Sequence, residues 1–97
     1  MNLVISRKIE QKLALKHNVS RHEIVECFAN REGNFLIDDR EEHDTDPKTH
    51  WFIAETNYGR KLRIYFVPKT NDDGDLDIFI KTALEPKQHH IDHYDNA

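Results

Sequence analysis

The sequence is poor in cysteine, glycine, proline and long apolar runs, and each shortage excludes a class of protein. The single cysteine, Cys27, cannot form an internal disulfide, which argues against a disulfide-stabilised secreted domain. Three glycines and three prolines are too few for a collagen-like or low-complexity chain. The apolar runs are far shorter than a membrane span, and residues 1–6 lack the features of a signal peptide. We therefore expect a cytoplasmic protein with no membrane contact.

The composition that remains is typical of one small globular domain over residues 1–97. About a third of the residues are charged (33%), and the net charge is −4. The charge is uneven, however, because residues 47–71 hold five basic side chains and one acidic side chain. Residues 32–46 and 72–97 are acidic. Since the local field steers a ligand more than the net charge does, a basic patch on this acidic chain is a reasonable prediction.

Local signals predict two helices near the N-terminus. Ser20 and Glu23 have the spacing of a capping box, which predicts a helix over residues 20–29. Ser6 is a candidate N-cap for an earlier helix, in which Ile9, Leu13 and Ala14 share one face. Asn18 tolerates left-handed geometry and is expected to end that first helix.

After Gly33 the hydrophobic period changes from 3.6 to 2 residues, which predicts strands. The expected strands cover residues 34–38, 50–56, 60–67 and 76–82, and Asn57-Tyr58-Gly59 is expected to form a hairpin turn. Pro86 is expected to begin a short final helix. The predicted fold is α+β: two N-terminal helices, a twisted antiparallel sheet of about four strands, and a short C-terminal helix.

Strand alternation places cations and aromatic rings on one face of this sheet. Arg63 and Tyr65 are expected to point outward from one strand, and Phe79 and Lys81 from its neighbour. Cations meet phosphates while rings stack on bases, so this pattern is typical of RNA binding. Further basic residues extend the candidate patch: Arg60, Lys61, Lys12 and Lys16. The alternative is an ordinary solvated face, or one covered by a helix.

Two other clusters are candidates for chemistry. The polar segment 40–50 contains carboxylates, an arginine and His43, the residue types used in general acid–base catalysis, although polar loops of this kind are usually just solvated. His89 and His93 are one helical turn apart and could hold a metal, but we interpret them as part of an exposed helix end. With no glycine-rich phosphate loop and no Cys-x-x-Cys pair, the sequence predicts neither a metal site nor a cofactor.

Several short motifs also occur in the order found in a known protein family. Residues 16–20 read Lys-His-Asn-Val-Ser, similar to a Lys-His-Gly-Val-Ser junction between two helices. Residues 51–54, Trp-Phe-Ile-Ala, resemble a Trp-Ile-Ala strand, and segments 59–64 and 80–83 follow in order. Over residues 6–84 the chain thus resembles the BrnT-like toxins of bacterial type II toxin–antitoxin modules.

The resemblance implies a RelE-like ribonuclease fold and RNA cleavage without a metal or other cofactor. It implies that RNA, free or ribosome-associated, is the substrate and that a small ribbon-helix-helix antitoxin is the neutralising partner. By position, Arg63 and Lys81 would hold phosphate, and Arg60 or Lys61 would help to bind RNA. Tyr65 would stack on a base or donate a proton.

The general base is an inference from residue chemistry rather than from the resemblance, and it falls on His43 or Glu55. A different class of function also fits the same residues. In that alternative the chain is a non-catalytic protein-interaction module, or an inactive toxin homologue, that binds a partner through the same sheet face.

Overall fold

The computed structural model describes residues 1–40 and 46–97, and its fold is α+β as the sequence predicts. The elements in chain order are β1 (Asn2–Val4), α1 (Arg7–Lys12) with a π-helical extension (Leu13–His17), α2 (Arg21–Asn30), β2 (Leu36–Ile37), β3 (His50–Glu55), β4 (Lys61–Thr70), β5 (Leu76–Leu84) and α3 (Gln88–Asp95). In the described residues, no helix is both long enough and apolar enough to cross a bilayer.

The sheet is mixed rather than wholly antiparallel. Its strand order is β1-β5-β4-β3-β2. The four predicted strands pair antiparallel, but β1 adds to the edge of β5 in parallel, with Leu3 opposite Ile78. The prediction of about four antiparallel strands missed β1 because three residues are too short to show a period. Only the distant pairing with β5 makes that segment a strand.

The predicted helix ends are confirmed in atomic detail. The backbone N–H of Glu23 donates to Ser20 Oγ at 3.2 Å, and the Ser20 N–H donates to Glu23 Oε1 at 3.1 Å. Ser6 caps α1 by accepting from the Ile9 N–H at 3.2 Å. Asn18 has a φ of 52°, the left-handed geometry expected after the first helical segment.

The N-terminal helices cover one side of the sheet, which we call the helix face. Leu13 from the π-helical extension and Ile24 from α2 pack there against Phe52, Ile64 and Phe66, all nearly inaccessible to solvent. The expected alignment of Ala14 with Leu13 is wrong, because Ala14 is exposed. The helix widens at Leu13, and a π-helical turn rotates the following side chains away from their α-helical positions.

The opposite side of the sheet, which we call the outer face, is only partly covered. Strand alternation and register place Trp51, Ile53, Arg63, Tyr65, Val67 and Phe79 on it, together with Val4, Glu55, Lys61, Thr82 and Leu84. Helix α3 lies against its β3 side, where the rings of His93 and Tyr94 contact Trp51 at centroid distances of 5.7 and 5.6 Å. The N-terminal helices therefore leave the face that carries Arg63 open, and α3 roofs one part of it.

Two prolines mark differences from the predicted boundaries. Strand β4 continues through Pro68 to Thr70, where the sequence predicts a loop, because Pro68 pairs with Ile78 near the end of the sheet. Helix α3 begins at Gln88 with Lys87 as N-cap, so Pro86 precedes the helix rather than opening it.

Candidate functional site

Arg63 is held on the outer face by its strand, and its charge has no ion-pair partner in the part of the chain that the structure describes. Its neighbours in register are Ile53 on β3 and Leu84 on β5, which shield the stem of the side chain. Its Nε is buried and has no hydrogen-bond partner in residues 1–40 and 46–97, nor does Arg63 enter any ion pair found there. A buried donor left unsatisfied costs roughly 1–3 kcal/mol. An anion that accepts a hydrogen bond from this guanidinium would remove that cost.

Tyr65 lies two residues further along β4, beside a second guanidinium as well as that of Arg63. The guanidinium carbons of Arg63 and Arg40 each lie 5.4 Å from the centre of the Tyr65 ring. Arg40 is oriented by Asp38, whose two carboxylate oxygens accept from its Nε and Nη2 at 2.9 Å. On the other side, Tyr65 stacks on Trp51 at 6.0 Å. The half-buried ring thus joins two cations to the aromatic surface of β3.

The roof of this site is the first turn of α3, which contributes His90. Burial lowers the pKa of His90, and the positive charges of Arg63, Lys87 and Arg40, together with His89, lower it further. Its Nδ1 accepts from the backbone N–H of Lys87 at 3.1 Å. Arg40, Arg63, Tyr65 and Trp51 are linked by ring contacts, and the charges of Arg40 and Arg63 act on His90; we call these five residues the basic–aromatic cluster.

Phe79 shares the outer face with this cluster but lies outside it, and Lys81 lies at a bulge, where strand alternation does not assign its side. The β4–β5 register shifts next to Tyr65, which pairs with Thr82, while Phe66 pairs with Ile80. Lys81 is the extra residue of this bulge, and its side chain is exposed. Phe79 pairs with Val67 further along the strands and is 37% exposed. Lys81 is thus an exposed cation at the bulge, next to Thr82, the residue that pairs with Tyr65.

Arg60, a predicted RNA-binding residue, is fully engaged within the protein. Its Nη1 donates to Glu23 Oε2 at 2.9 Å and to the Asn18 carbonyl at 2.7 Å. Its Nη2 donates to the His17 carbonyl at 3.0 Å, and its Nε donates to Glu85 Oε1 at 2.8 Å. Burial would lower the pKa of Arg60, but its two carboxylate partners raise it. The geometry assigns this side chain to holding the helix junction against the hairpin.

The remaining predicted cations are dispersed. Lys61 is exposed and lies opposite Glu55 at the start of β4. Lys12 and Lys16 are exposed on α1 and its extension, which pack on the helix face, so they are on the other side of the sheet from Arg63. The structure therefore brings Arg63 and Tyr65 together and places Lys81 at the bulge beside Thr82, but it does not assemble the whole predicted patch.

Of the two candidates for general base, Glu55 and His43, the structure locates Glu55. Glu55 is exposed on the outer face, and it lies diagonally from Arg63 because Ile53 is the direct partner of that arginine. It also lines an open cleft of about 790 Å³ between the end of β3 and α3, together with Lys61 and Ile91. His43 lies outside the described residues.

The histidines of α3 have aromatic neighbours rather than an arrangement for metal binding. His93 stacks on Trp51, and the His89 and His90 rings lie 3.9 Å apart. In the described part of the chain, no group of three or more His, Cys, Asp or Glu residues could hold a metal ion.

Two members of the cluster, Arg40 and His90, were not singled out from the sequence as site residues. Their approach to Arg63 depends on where α3 and the β2–β3 connection are placed, which periodicity does not encode.

Comparison with known proteins does not assign the chain to a family. No family model, no curated protein and no solved structure matches the chain. The functional assignment therefore depends on the site itself and on the short sequence motifs.

Proposed function

We propose that this protein is a cytoplasmic BrnT-like toxin with a RelE-like fold, a metal-independent ribonuclease that a small ribbon-helix-helix antitoxin neutralises. The observation that carries the proposal is the guanidinium of Arg63, half-buried on an open sheet face beside Tyr65, with a buried Nε that has no hydrogen-bond partner in residues 1–40 and 46–97. Arg60, three residues away, is saturated by hydrogen bonds, which makes the isolation of Arg63 a specific feature rather than a property of every arginine. A buried donor without a hydrogen-bond partner destabilises the fold, so its presence calls for an explanation such as a role in binding or catalysis.

The chemistry follows from where negative charge develops. In RNA cleavage the ribose 2′-OH attacks the adjacent phosphate, and the charge on the phosphate oxygens grows toward the transition state. Arg63 holds these oxygens with a rigid fork of donors, and Lys81 adds a mobile cation at the bulge. Tyr65 stacks on a base next to the scissile phosphate or donates a proton to the leaving oxygen. Glu55, or His43, removes the proton from the 2′-OH.

The direct test is to induce the chain in a bacterial host and to incubate the purified protein with single-stranded RNA. We expect growth arrest and RNA cleavage, a loss of about 10²-fold or more in cleavage rate for Arg63→Ala, and a clear loss for Lys81→Ala. Lys69→Ala is the matched control, because Lys69 is exposed on the same strand but pairs with Asp77 far from the cluster. Folded wild-type protein that neither arrests growth nor cleaves RNA would refute the proposal.

The antitoxin has its own test. Co-expression of a ribbon-helix-helix protein encoded beside this chain should restore growth and form a stoichiometric complex with the purified protein. If growth arrest occurs and no such neighbour rescues it, the toxin assignment stands without this partner class.

One observation favours the alternative of a protein-interaction module. Val4, Phe79 and Val67 form a row across three neighbouring strands of the outer face, and Val4 and Phe79 are 36% and 37% exposed. An apolar row of this kind is typical of a partner surface. If the protein is such a module, Phe79→Ser abolishes complex formation, while Arg63→Ala leaves it intact and RNA remains uncleaved.

A further inference from the structure

His90 reaches the cluster because of how α3 leaves the sheet. Leu84, at the end of β5, pairs with Arg63, and only residues 85–87 separate it from the start of α3. The helix then crosses toward β3, where His93 stacks on Trp51. Its first turn therefore lies between the end of β5 and β3, and His90 is half-buried while the adjacent His89 is exposed.

The hydrogen bond inside this turn fixes which nitrogen of His90 carries the proton. Nδ1 accepts from the Lys87 backbone N–H at 3.1 Å, so it uses its lone pair and bears no hydrogen in the neutral ring. The proton of the neutral imidazole is then on Nε2, at the far side of the ring. Because its basic nitrogen is occupied, neutral His90 is poorly suited to act as a general base and well suited to act as a hydrogen-bond donor.

The surrounding charges favour an anion at that donor. The groups that act on His90 are Arg63 from β4, Arg40 from the segment after β2, and Lys87 and His89 from its own end of α3. Both carboxylate oxygens of Asp38 accept from Arg40 in a bidentate pair. Arg63 also has an unsatisfied buried Nε. Among the described residues, neither Arg63 Nε nor His90 Nε2 has an acceptor, and two such donors in a positive environment match the requirements of a phosphate group.

We infer that Arg63 and His90 together form a phosphate-binding subsite, in which Arg63 donates from its guanidinium and His90 donates from Nε2. The inference rests on the proposed function, because it assigns this subsite to one phosphodiester of the RNA substrate. His90 is a binding residue here and transfers no proton. A phosphate held between the two side chains lies against the Tyr65 ring, so the neighbouring base is positioned to stack on the aromatic part of the cluster.

Two substitutions separate the donor from the cap. In His90→Asn the side-chain oxygen replaces the Nδ1 acceptor for Lys87, but nothing replaces the donor at Nε2. In His90→Gln the amide NH2 group reaches the position of Nε2 and keeps a donor. We expect His90→Asn to bind RNA about tenfold more weakly, as does Arg63→Ala, and His90→Gln to retain most of the affinity.

Affinity is measured by fluorescence anisotropy with a 2′-O-methylated single-stranded RNA, which binds but lacks the attacking hydroxyl. Circular dichroism and urea unfolding confirm that each variant is folded, and Lys69→Ala again serves as the control. NMR titration of the His90 ring supplies a second readout. Saturating the protein with the RNA should raise the pKa of His90, because the bound phosphate favours the imidazolium. Inorganic phosphate at high concentration should do the same if the subsite takes a free phosphate as well.

Three results would overturn the subsite. One is RNA affinity unchanged by both His90→Asn and Arg63→Ala in folded protein. Another is a pKa of His90 that bound RNA leaves unaltered. A third is an oligoglutamate that binds with the same dependence on His90, since the surface would then recognise a carboxylate-rich protein. If RNA binds through His90 and Arg63 but is never cleaved, the subsite stands and the ribonuclease proposal fails. If cleavage and binding both ignore His90, the ribonuclease stands and the subsite fails.

Discussion

Arg60 and Arg63 stand three residues apart around the start of β4, and their surroundings give them opposite roles. Arg60 meets two carboxylates and two backbone carbonyls at the junction between the N-terminal helices. Arg63 has apolar neighbours in register, lies beside the ring of Tyr65, and enters no ion pair among the described residues. A charge-assisted network stabilises the fold, whereas an unpartnered guanidinium leaves binding capacity for a ligand. The sequence does not distinguish the two, since both are arginines in a basic segment.

The network around Arg60 predicts a stability effect. Arg60→Ala removes four hydrogen bonds and leaves the carbonyls of His17 and Asn18 without this donor, so we expect a loss of about 2 kcal/mol in the free energy of unfolding. Urea denaturation followed by circular dichroism measures it. Lys61→Ala, at the exposed neighbouring position, should change stability by no more than about 0.5 kcal/mol. Equal effects of the two substitutions would contradict the role assigned to Arg60.

Glu23 gives this network a pH dependence. Burial alone would raise its pKa, but hydrogen bonds from Arg60 and from the Ser20 backbone lower it below the ordinary value of 4.5. A carboxyl with a lower pKa in the folded state stabilises the fold above its unfolded pKa, and that contribution is lost as the pH falls through the folded value.

We therefore expect Glu23→Gln to be less stable than wild type at pH 7, and the difference to shrink as the pH falls from about 5 to 3. Urea unfolding at several pH values tests this, and Glu10→Gln controls for the loss of an exposed carboxyl. A difference independent of pH would show that Glu23 acts through its shape and not through its charge.

At the scale of elements, the position of α3 decides what the outer face can do. Tyr94 anchors the helix by donating its hydroxyl to the Asn34 carbonyl at 2.7 Å. The ring packs so closely on Gly33 that a Cβ there would lie 2.5 Å from the phenol oxygen and 2.9 Å from two ring carbons. The absence of a side chain at Gly33 therefore fixes where α3 ends and, through the rigid helix, where His90 lies.

This contact predicts a coupling between two distant positions. Gly33→Ala should destabilise the protein by about 1–3 kcal/mol through overpacking against Tyr94. In a Tyr94→Leu background the same substitution should cost less than about 0.5 kcal/mol, because the clashing ring is gone. A double-mutant cycle in urea measures the coupling, and amide hydrogen exchange should show loss of protection in α3. Additive effects would mean that α3 is not held by this contact.

At the scale of the whole molecule, Cys27 reports on the integrity of the core. Its side chain is buried between α2 and the helix face, and Sγ donates to the Ala54 carbonyl at 3.6 Å. Burial, together with the charges of Glu23 and Glu26, raises the pKa of the thiol to about 12. In the folded protein the Cys27 thiol is inaccessible to a reagent and is not ionised. It can therefore react only when the core opens.

We expect an aromatic disulfide reagent at pH 8 to label Cys27 roughly 10³-fold or more slowly than it labels the urea-unfolded chain. Labelling as a function of urea should then follow the unfolding transition seen by circular dichroism. Rapid labelling in the absence of urea would show that α2 opens locally, without unfolding of the sheet.

Short-range features of this chain could be predicted from its sequence because their causes are local. The capping box of Ser20 and Glu23, the N-cap Ser6 and the left-handed Asn18 depend on interactions within a few residues. Alternation likewise assigned Arg63 and Tyr65 to one face, since the period of a strand is fixed by its geometry. Strand β1 and the π-helical turn escaped prediction because a distant partner and packing against the core create them.

The features of the candidate site likewise separate into those that the sequence predicts and those that depend on contacts between distant elements. The sequence by itself determined an α+β chain with a strand that carries Arg63 and Tyr65 on the face opposite Ile64 and Phe66. Only the tertiary structure decided that the guanidinium nitrogens of Arg60 are all used in hydrogen bonds at the helix junction. It also decided that Arg40 and His90 belong to the cluster, and that Lys12 and Lys16 lie on the other side of the sheet. The physical reason is that periodicity specifies the direction of a side chain, whereas packing between elements specifies its neighbours and hence whether its charge is paired.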